Sequence, residues 1–199
     1  MRTLPPSYGG LISRVPWMYR LATSLHMTTE PHVVENLGLL RAGEACSPLL
    51  RRETERMLRA QPFLADATVT SYADGEDAVR IEIVTIDEPA ILGSLGVSGQ
   101  DPHLRALSLG SGNLRGAGVS AQAGWRDGGV YRDTWQARYS NYQLFSEPVQ
   151  MHITAIRRDH GYDATALVTF PFFTDVQRRA WRVAGGTGEF LVPFRAPGL

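Results

Sequence analysis

The most constraining feature of this chain is a set of three stretches in which apolar and polar residues alternate at every step. They comprise residues 119–125, 134–140 and 149–155, and a turn signal follows each of them. A period of two places successive side chains on opposite faces of a β-strand. The stretches therefore predict an antiparallel meander with one apolar and one polar face. Because soluble sheets and membrane barrels share this pattern, the alternation alone leaves open whether the apolar face meets a protein core or lipid.

Composition excludes several classes of chemistry. The 20 basic and 20 acidic residues leave a formal net charge of zero, so no bulk charge favours nucleic acid as a partner. Every basic residue is an arginine, which excludes Schiff-base and P-loop lysine chemistry. Cys46 is the single cysteine and forms no intrachain disulfide. No hydrolase, nucleotide-binding or metal-ligand motif occurs, and we predict no enzyme activity, no catalytic residue, no metal site and no cofactor.

Shifts in composition divide the chain into four parts. Residues 1–25 are irregular, and residues 26–92 predict a compact α+β unit. Residues 93–103 are rich in Gly, Ser, Asp and Pro, which is typical of a linker. Residues 104–199 contain the meander. The predicted fold class is thus an α+β domain followed by an all-β antiparallel meander.

Within the α+β unit, we expect a strand at residues 31–40 and then a helix. Ser47 is a suitable N-cap for that helix, and Pro48 fits its first position. Two strands follow, an edge strand at residues 67–72 and a more apolar central strand at residues 79–86. The helix carries one charged face, which we expect to be solvated. Its residues are Arg51, Arg52, Glu53, Glu55, Arg56 and Arg59.

The meander continues with a fourth strand at residues 164–173 and a fifth that begins near residue 180. Aromatic residues concentrate near the strand ends, whereas small residues such as Ala121, Ala137 and Ala155 lie between them. Membrane barrels place aromatic girdles at both interfaces and a polar face toward the lumen. The strands also approach the 9–11 residues that a tilted membrane strand needs.

Three segments, in this order, resemble a known family. Residues 51–67 read RRETERMLRAQPFLADA, residues 112–118 read GNLRGAG, and residues 169–181 read TFPFFTDVQRRAW. Their order and spacing resemble the BamA/TamA-like outer-membrane assembly superfamily, over about residues 26–185. In that family, periplasmic POTRA domains precede a β-barrel of about 16 strands. The resemblance implies that residues 26–92 are the last POTRA domain and that residues 104–199 are the N-terminal part of an incomplete transmembrane β-barrel.

The function that this resemblance implies is assembly, insertion or translocation of proteins at the bacterial outer membrane. The expected partners are unfolded outer-membrane or exported client chains, outer-membrane lipid and accessory periplasmic proteins. Clients would bind a free edge of the POTRA-like domain by strand addition. The residues implied for this edge are Thr68, Val69, Thr70, Ser71 and Tyr72. The first barrel strand would form a lateral gate, with the residues Gly116, Gly118, Val119, Ala121, Ala123 and Trp125.

The chain departs from this family in its size. Only four or five strands are predicted after the linker, and the first residues lack the apolar run of a signal peptide. We therefore expect the sequence to be a fragment of a longer protein, because an open sheet edge is not tolerated in lipid. The alternative is a soluble α+β binding module whose meander packs on a core of its own.

Overall fold

A computed structural model describes residues 1–6, 16, 20, 27–75, 78–99, 103–128 and 133–190, and these residues are mostly β. None of the helices in these ranges is long and apolar enough to cross a bilayer. In chain order, the helices and strands are β1 (Arg2–Leu4), α1 (Pro31–Leu37), α2 (Pro48–Arg59), β2 (Leu64–Ala73), β3 (Val79–Asp87), β4 (Ile91–Val97), β5 (Leu104–Ser111), β6 (Val119–Arg126), β7 (Thr134–Leu144), β8 (Val149–Arg158), β9 (Gly161–Phe170) and β10 (Trp181–Phe190).

The strands form two sheets. The first has three strands in the order β1-β3-β2, with β1 parallel and β2 antiparallel to β3. The second has seven antiparallel strands in chain order, from β4 at one edge to β10 at the other. The predictions that β3 is central and that β2 is an edge strand are confirmed. Strand β1 was not predicted, since the first 25 residues were expected to be irregular.

Helix α2 is confirmed, whereas the strand predicted at residues 31–40 is wrong. The Ser47 hydroxyl accepts a hydrogen bond from the Leu50 N–H at 3.1 Å and caps α2 as expected. Residues 31–37 form α1, which begins at Pro31. Its buried residues are Val33, Val34 and Leu37, and this spacing of one and four residues is helical. So short an apolar run fits the period of a helix as well as that of a strand. The packing of residues 31–37 against α2 favours the helix.

The linker predicted at residues 93–103 is also wrong in its first part. Residues 91–97 form β4, which pairs with β5 in a hairpin. Glycine and serine suggested a loop, but here they lie within a strand, among the apolar residues Ile91, Leu92, Leu95 and Val97. Gly96 lies opposite Ala106, where little space is left for a side chain, and Leu95 lies opposite Leu107.

The meander itself is confirmed. The three alternating stretches lie within β6, β7 and β8, and the predicted fourth and fifth strands are β9 and β10. Strand β9 ends at Phe170, three residues earlier than expected, because Pro171 provides no N–H for a sheet hydrogen bond. The antiparallel pairing is continuous from β6 to β10.

The hydrophobic core lies between the two helices and the three-stranded sheet. Tyr142, near the end of β7, and Phe173, after β9, pack against this core. The Tyr142 and Phe63 rings are 5.7 Å apart. One end of the large sheet is therefore joined to the small unit through side-chain packing. The fully formed core consists of Val33, Val34, Leu37, Met57, Leu58, Phe63, Leu64, Ala67 and Val69.

Candidate functional site

One face of the seven-stranded sheet is apolar and open to the surroundings. Side chains on this face include some of the most exposed large hydrophobic residues of the chain, with Leu95 at 69%, Trp135 at 58% and Val183 at 65% exposure. Exposed apolar patches of this extent mark interaction or membrane surfaces. We call this surface the apolar face. Its residues are Ile91, Leu95, Leu107, Leu109, Val119, Ala121, Ala123, Trp125, Trp135, Ala137, Tyr139, Met151, Ile153, Ala155, Tyr162, Ala164, Ala166, Val168, Phe170, Trp181 and Val183.

Aromatic side chains lie at both ends of the apolar face. At one end, Trp125 and Trp135 are cross-strand partners. At the other end, Phe170 pairs with Trp181, with ring centroids 6.5 Å apart. A row of small side chains crosses the middle. It consists of the consecutive partners Ala123, Ala137, Ala155 and Ala164. Membrane barrels carry aromatic side chains at both interfaces in a similar arrangement.

The opposite face of the same sheet is polar, and its side chains bond with one another. The Ser94 and Ser108 hydroxyls are 2.7 Å apart, and the Gln122 amide donates to Ser108 at 3.2 Å. Further along, His152 Nδ1 and the Ser140 hydroxyl are 2.9 Å apart. Hydrogen bonds of this kind satisfy polar groups on a face that carries water. The sheet is therefore amphipathic along β6, β7 and β8, as the alternation predicts.

The residues predicted for the gate do not lie on the first strand of the sheet. Strands β4 and β5 precede β6, so β6 is third and is paired on both sides. Of the predicted residues, Val119, Ala121, Ala123 and Trp125 lie on β6. Gly116 and Gly118 precede it in a turn with positive φ. At Gly116 a Cβ would collide with the Thr28 carbonyl oxygen, which explains the glycine. Within the described residues, the free edges are on β4 and β10.

The predicted client-binding edge lies on β2, which among the described strands pairs with β3 alone. In an antiparallel ladder, alternate residues direct their backbone groups toward or away from the neighbouring strand. Val69 N–H and C=O bond to side chains of α2, so residues 69 and 71 face outward. Thr68, Thr70 and Tyr72 accordingly face β3. Of the five predicted residues, Val69 and Ser71 thus direct their backbone N–H and C=O groups toward the free edge.

Charged side chains of α2 cover part of this edge. Arg51 donates to the Val69 carbonyl at 3.1 Å, and the Glu55 carboxylate accepts from the Val69 N–H at 3.0 Å. Arg59 pairs with Asp66, whose carboxylate also accepts from the Ala67 N–H at 2.8 Å.

Arg51, Glu55 and Arg59 recur every four residues and share one helix face. We call them the charged ladder. The prediction that this whole helix face is solvated is wrong for Arg51 and Glu55, which are half-buried because α2 packs along β2, whereas Arg59 is exposed as expected. The i,i+4 spacing was visible in the sequence, but the strand beside it was not.

A buried polar junction joins the small unit to the seven-stranded sheet. The Asp87 carboxylate accepts from the Thr29 N–H at 2.9 Å and from the Thr29 hydroxyl at 2.6 Å. The Asn113 amide donates to Thr29 at 2.7 Å and accepts from the Gly118 N–H at 2.9 Å. Thr29, Asp87 and Asn113 are all buried. We call these three residues, together with Gly118, the junction. No sequence motif pointed to it, since its members are far apart in the chain.

A second contact joins α2 to the segment between β9 and β10. Glu53 is buried, and its carboxylate accepts from the Asp175 N–H at 3.0 Å and from Arg56 at 2.6 Å. Arg56 also reaches the Asp175 carboxylate at 3.2 Å. Glu53 was predicted to be solvated, and this is wrong because residues 172–175 fold back over the helix.

The described residues contain no group of three or more His, Cys, Asp or Glu side chains that could hold a metal ion. Comparison with known proteins finds no matching family model and no curated protein with significant similarity to the chain.

Proposed function

We propose that this chain is part of an outer-membrane protein assembly or translocation component, with the apolar face of its seven-stranded sheet in contact with lipid. The observation that carries the proposal is the apolar face itself, which spans all seven strands and stays uncovered in the described residues. Its side chains lose contact with water only when lipid or another apolar surface covers them. Burying a large aliphatic side chain is worth about 1.5–3 kcal/mol, which makes so wide an exposed face costly in water.

The length of the last four strands favours a bilayer as the covering surface, whereas β4 has seven residues and β5 and β6 have eight each. Strands β8, β9 and β10 have ten residues each and β7 has eleven. A membrane strand tilted by about 45° needs about 9–11 residues. Tyr162 and Phe170 lie at opposite ends of β9, as expected for side chains at two interfaces. Arg157 and Glu189 lie in the same cross-strand row as Tyr162, at the boundary of the apolar region.

The alternative of a soluble module with a self-packed meander lacks a supporting observation. The buried cluster belongs to the small unit, and from the large sheet only Tyr142 packs against it. The polar face carries serine, glutamine and arginine side chains and offers no second core. A soluble form would need another apolar partner over the whole sheet.

The small unit contributes the client-binding part of the proposal. An extended client would add to β2 at Ser71, whose outward backbone groups lie beyond the reach of the hydrogen bonds that cover Val69. Tyr72 is exposed beside it and offers an apolar contact. The charged ladder restricts strand addition to this end of β2, as charged residues do on many sheet edges.

Lipid contact is tested by reconstituting the full chain into vesicles whose acyl chains carry bromine at defined depths. Bromine quenches tryptophan fluorescence at short range. Variants that retain Trp135 as the single tryptophan of the chain report on the apolar face, and we expect quenching to be strongest for bromine near the interface. A chain that remains in the aqueous fraction with unquenched Trp135 would contradict the proposal.

A further inference from the structure

We propose that the polar face of the seven-stranded sheet contains a binding site for a phosphate group. The site is a cavity of about 530 Å³ on this face, lined by Arg126, Arg138 and Arg158. It lies on the side of the sheet opposite the apolar face and does not depend on client binding. Cavities of about 300–1,000 Å³ are typical of small-ligand sites.

The three arginines converge because of the strand register. Arg126 and Arg158 both flank Thr134, one on each side, in a single cross-strand row. Arg138 lies on the same face of β7, four residues after Thr134, and it is opposite Gln122 and Thr154. Neighbouring strands are about 4.8 Å apart. Side chains as long as arginine can therefore line one cavity, to which Gly124 contributes no side chain.

The positive charge of this cavity is not neutralised by the residues around it. No acidic side chain lines the cavity. Among the described residues, none of the three arginines forms an ion pair. Asp163, on the same face, lies opposite Ile156 and outside the lining. The Arg158 guanidinium lies over the Phe190 ring, 5.6 Å from its centroid, but its Nη1 is buried without a hydrogen-bond partner. An anion that accepts from this nitrogen would satisfy it.

A phosphate group fits these donors better than a single carboxylate. Guanidinium groups bind phosphate oxygens in a bidentate manner, and a phosphate monoester carries up to two negative charges for the three cations. The Gln136 and Thr134 side chains line the same cavity and supply further polar contacts. The group could be borne by a soluble phosphate ester or by a lipid headgroup, and the chemistry of recognition is the same.

The test is calorimetric titration of the full chain in neutral detergent micelles, at constant ionic strength, with two probes. One is glycerol 3-phosphate, and the other is phosphatidic acid dissolved in the micelles. We expect saturable binding that Arg138→Gln and Arg158→Gln each weaken about tenfold or more. Displacement of glycerol 3-phosphate by phosphatidic acid identifies a lipid headgroup as a ligand, whereas binding of glycerol 3-phosphate alone identifies a soluble ester.

Arg157→Gln is the matched control. It removes the same charge from the neighbouring position of β8, but on the apolar face, and we expect its affinity to stay within about twofold of the wild type. Circular dichroism and tryptophan emission check that each variant keeps the sheet. Arg158→Lys keeps the charge without the guanidinium fork, so we expect intermediate affinity. Absence of saturable binding by both probes, or an equal loss in Arg157→Gln, would overturn the proposal.

Discussion

At the scale of single residues, the backbone of Val69 is the most informative position. Its N–H and C=O face away from β3, yet both bond to side chains of the charged ladder. Natural sheet edges avoid unwanted pairing by means of charged residues in this way. The next outward position, Ser71, has no such cover from α2. We therefore expect the backbone of Ser71, rather than its side chain, to receive an added strand.

Two substitutions at Ser71 separate these contributions. Ser71→Pro removes the outward N–H and leaves the bonds to β3 in place, so we expect it to abolish binding of an extended peptide. Ser71→Ala changes only the side chain and should bind as the wild type does. The measurement is fluorescence anisotropy of a labelled peptide that copies residues 149–155, which alternate apolar and polar side chains.

A third variant tests whether the charged ladder limits strand addition, and here we expect peptide affinity to rise. Arg51→Ala frees the Val69 carbonyl and extends the outward edge, so peptide affinity should rise several-fold. Equal affinity in Ser71→Pro and the wild type would place peptide binding somewhere other than β2.

The pKa of Asp66 reports on its contact with Arg59 of the charged ladder. The Ala67 N–H, and then the Arg59 guanidinium, hold the pKa of the Asp66 carboxyl below its ordinary value of 3.8. Because this pKa is lowered in the folded state, the interaction stabilises the fold above pH 3.8 and is lost as the pH falls through the folded-state pKa. In a carboxyl-carbon NMR titration, Arg59→Ala should raise the pKa of Asp66 toward 3.8. An unchanged titration midpoint would show that Arg59 does not contact Asp66 in solution.

At the scale of secondary structure, strand β8 illustrates how one element serves two environments. Ile153 lies on the apolar face between Tyr139 and Ala166. Thr154, its neighbour, lies on the polar face between Arg138 and Thr165. The two residues are adjacent in the chain, but their side chains lie on opposite faces of the sheet. This makes them a matched pair for substitution.

An arginine introduced at these two positions should have different effects. Ile153→Arg would bring a charge into the lipid and should cost about 2–4 kcal/mol of insertion free energy near the bilayer midplane. Thr154→Arg places the same charge on the polar face, where we expect little effect on insertion. Flotation of the chain with phosphatidylcholine vesicles measures both variants. Equal flotation of the two variants would show that the apolar face does not contact lipid.

At the scale of the whole molecule, the junction holds the small unit at one end of the large sheet. Its hydrogen bonds connect Thr29 and Asp87 of the small unit with Asn113, in the turn between β5 and β6. Phe63 and Tyr142 pack beside it, and Glu53 binds the segment after β9. The β2 edge therefore has a defined position relative to the sheet.

Removal of Asn113 should loosen this arrangement. Asn113→Ala leaves the buried Gly118 N–H without a partner, which costs about 1–3 kcal/mol, and removes one donor from the Thr29 hydroxyl, which stays bonded to Asp87. We expect a lower urea midpoint and faster proteolysis between the two sheets. Ser94→Ala, which removes an exposed hydroxyl contact, is the control and should leave both unchanged. A single unaltered transition in Asn113→Ala would mean that packing alone joins the units.

The sequence alone determined the amphipathic meander, helix α2 with its Ser47 cap and the order of β2 and β3, because each follows from local periodicity or from a capping residue. The tertiary structure decided what local patterns leave ambiguous. It made residues 31–37 a helix and residues 91–97 a strand, since a neighbouring element supplied the packing or the hydrogen bonds. It also placed Glu55 against Val69 and brought Arg126 and Arg158 to opposite sides of Thr134. These contacts join residues that are distant in the chain, and no periodicity encodes which distant groups will meet.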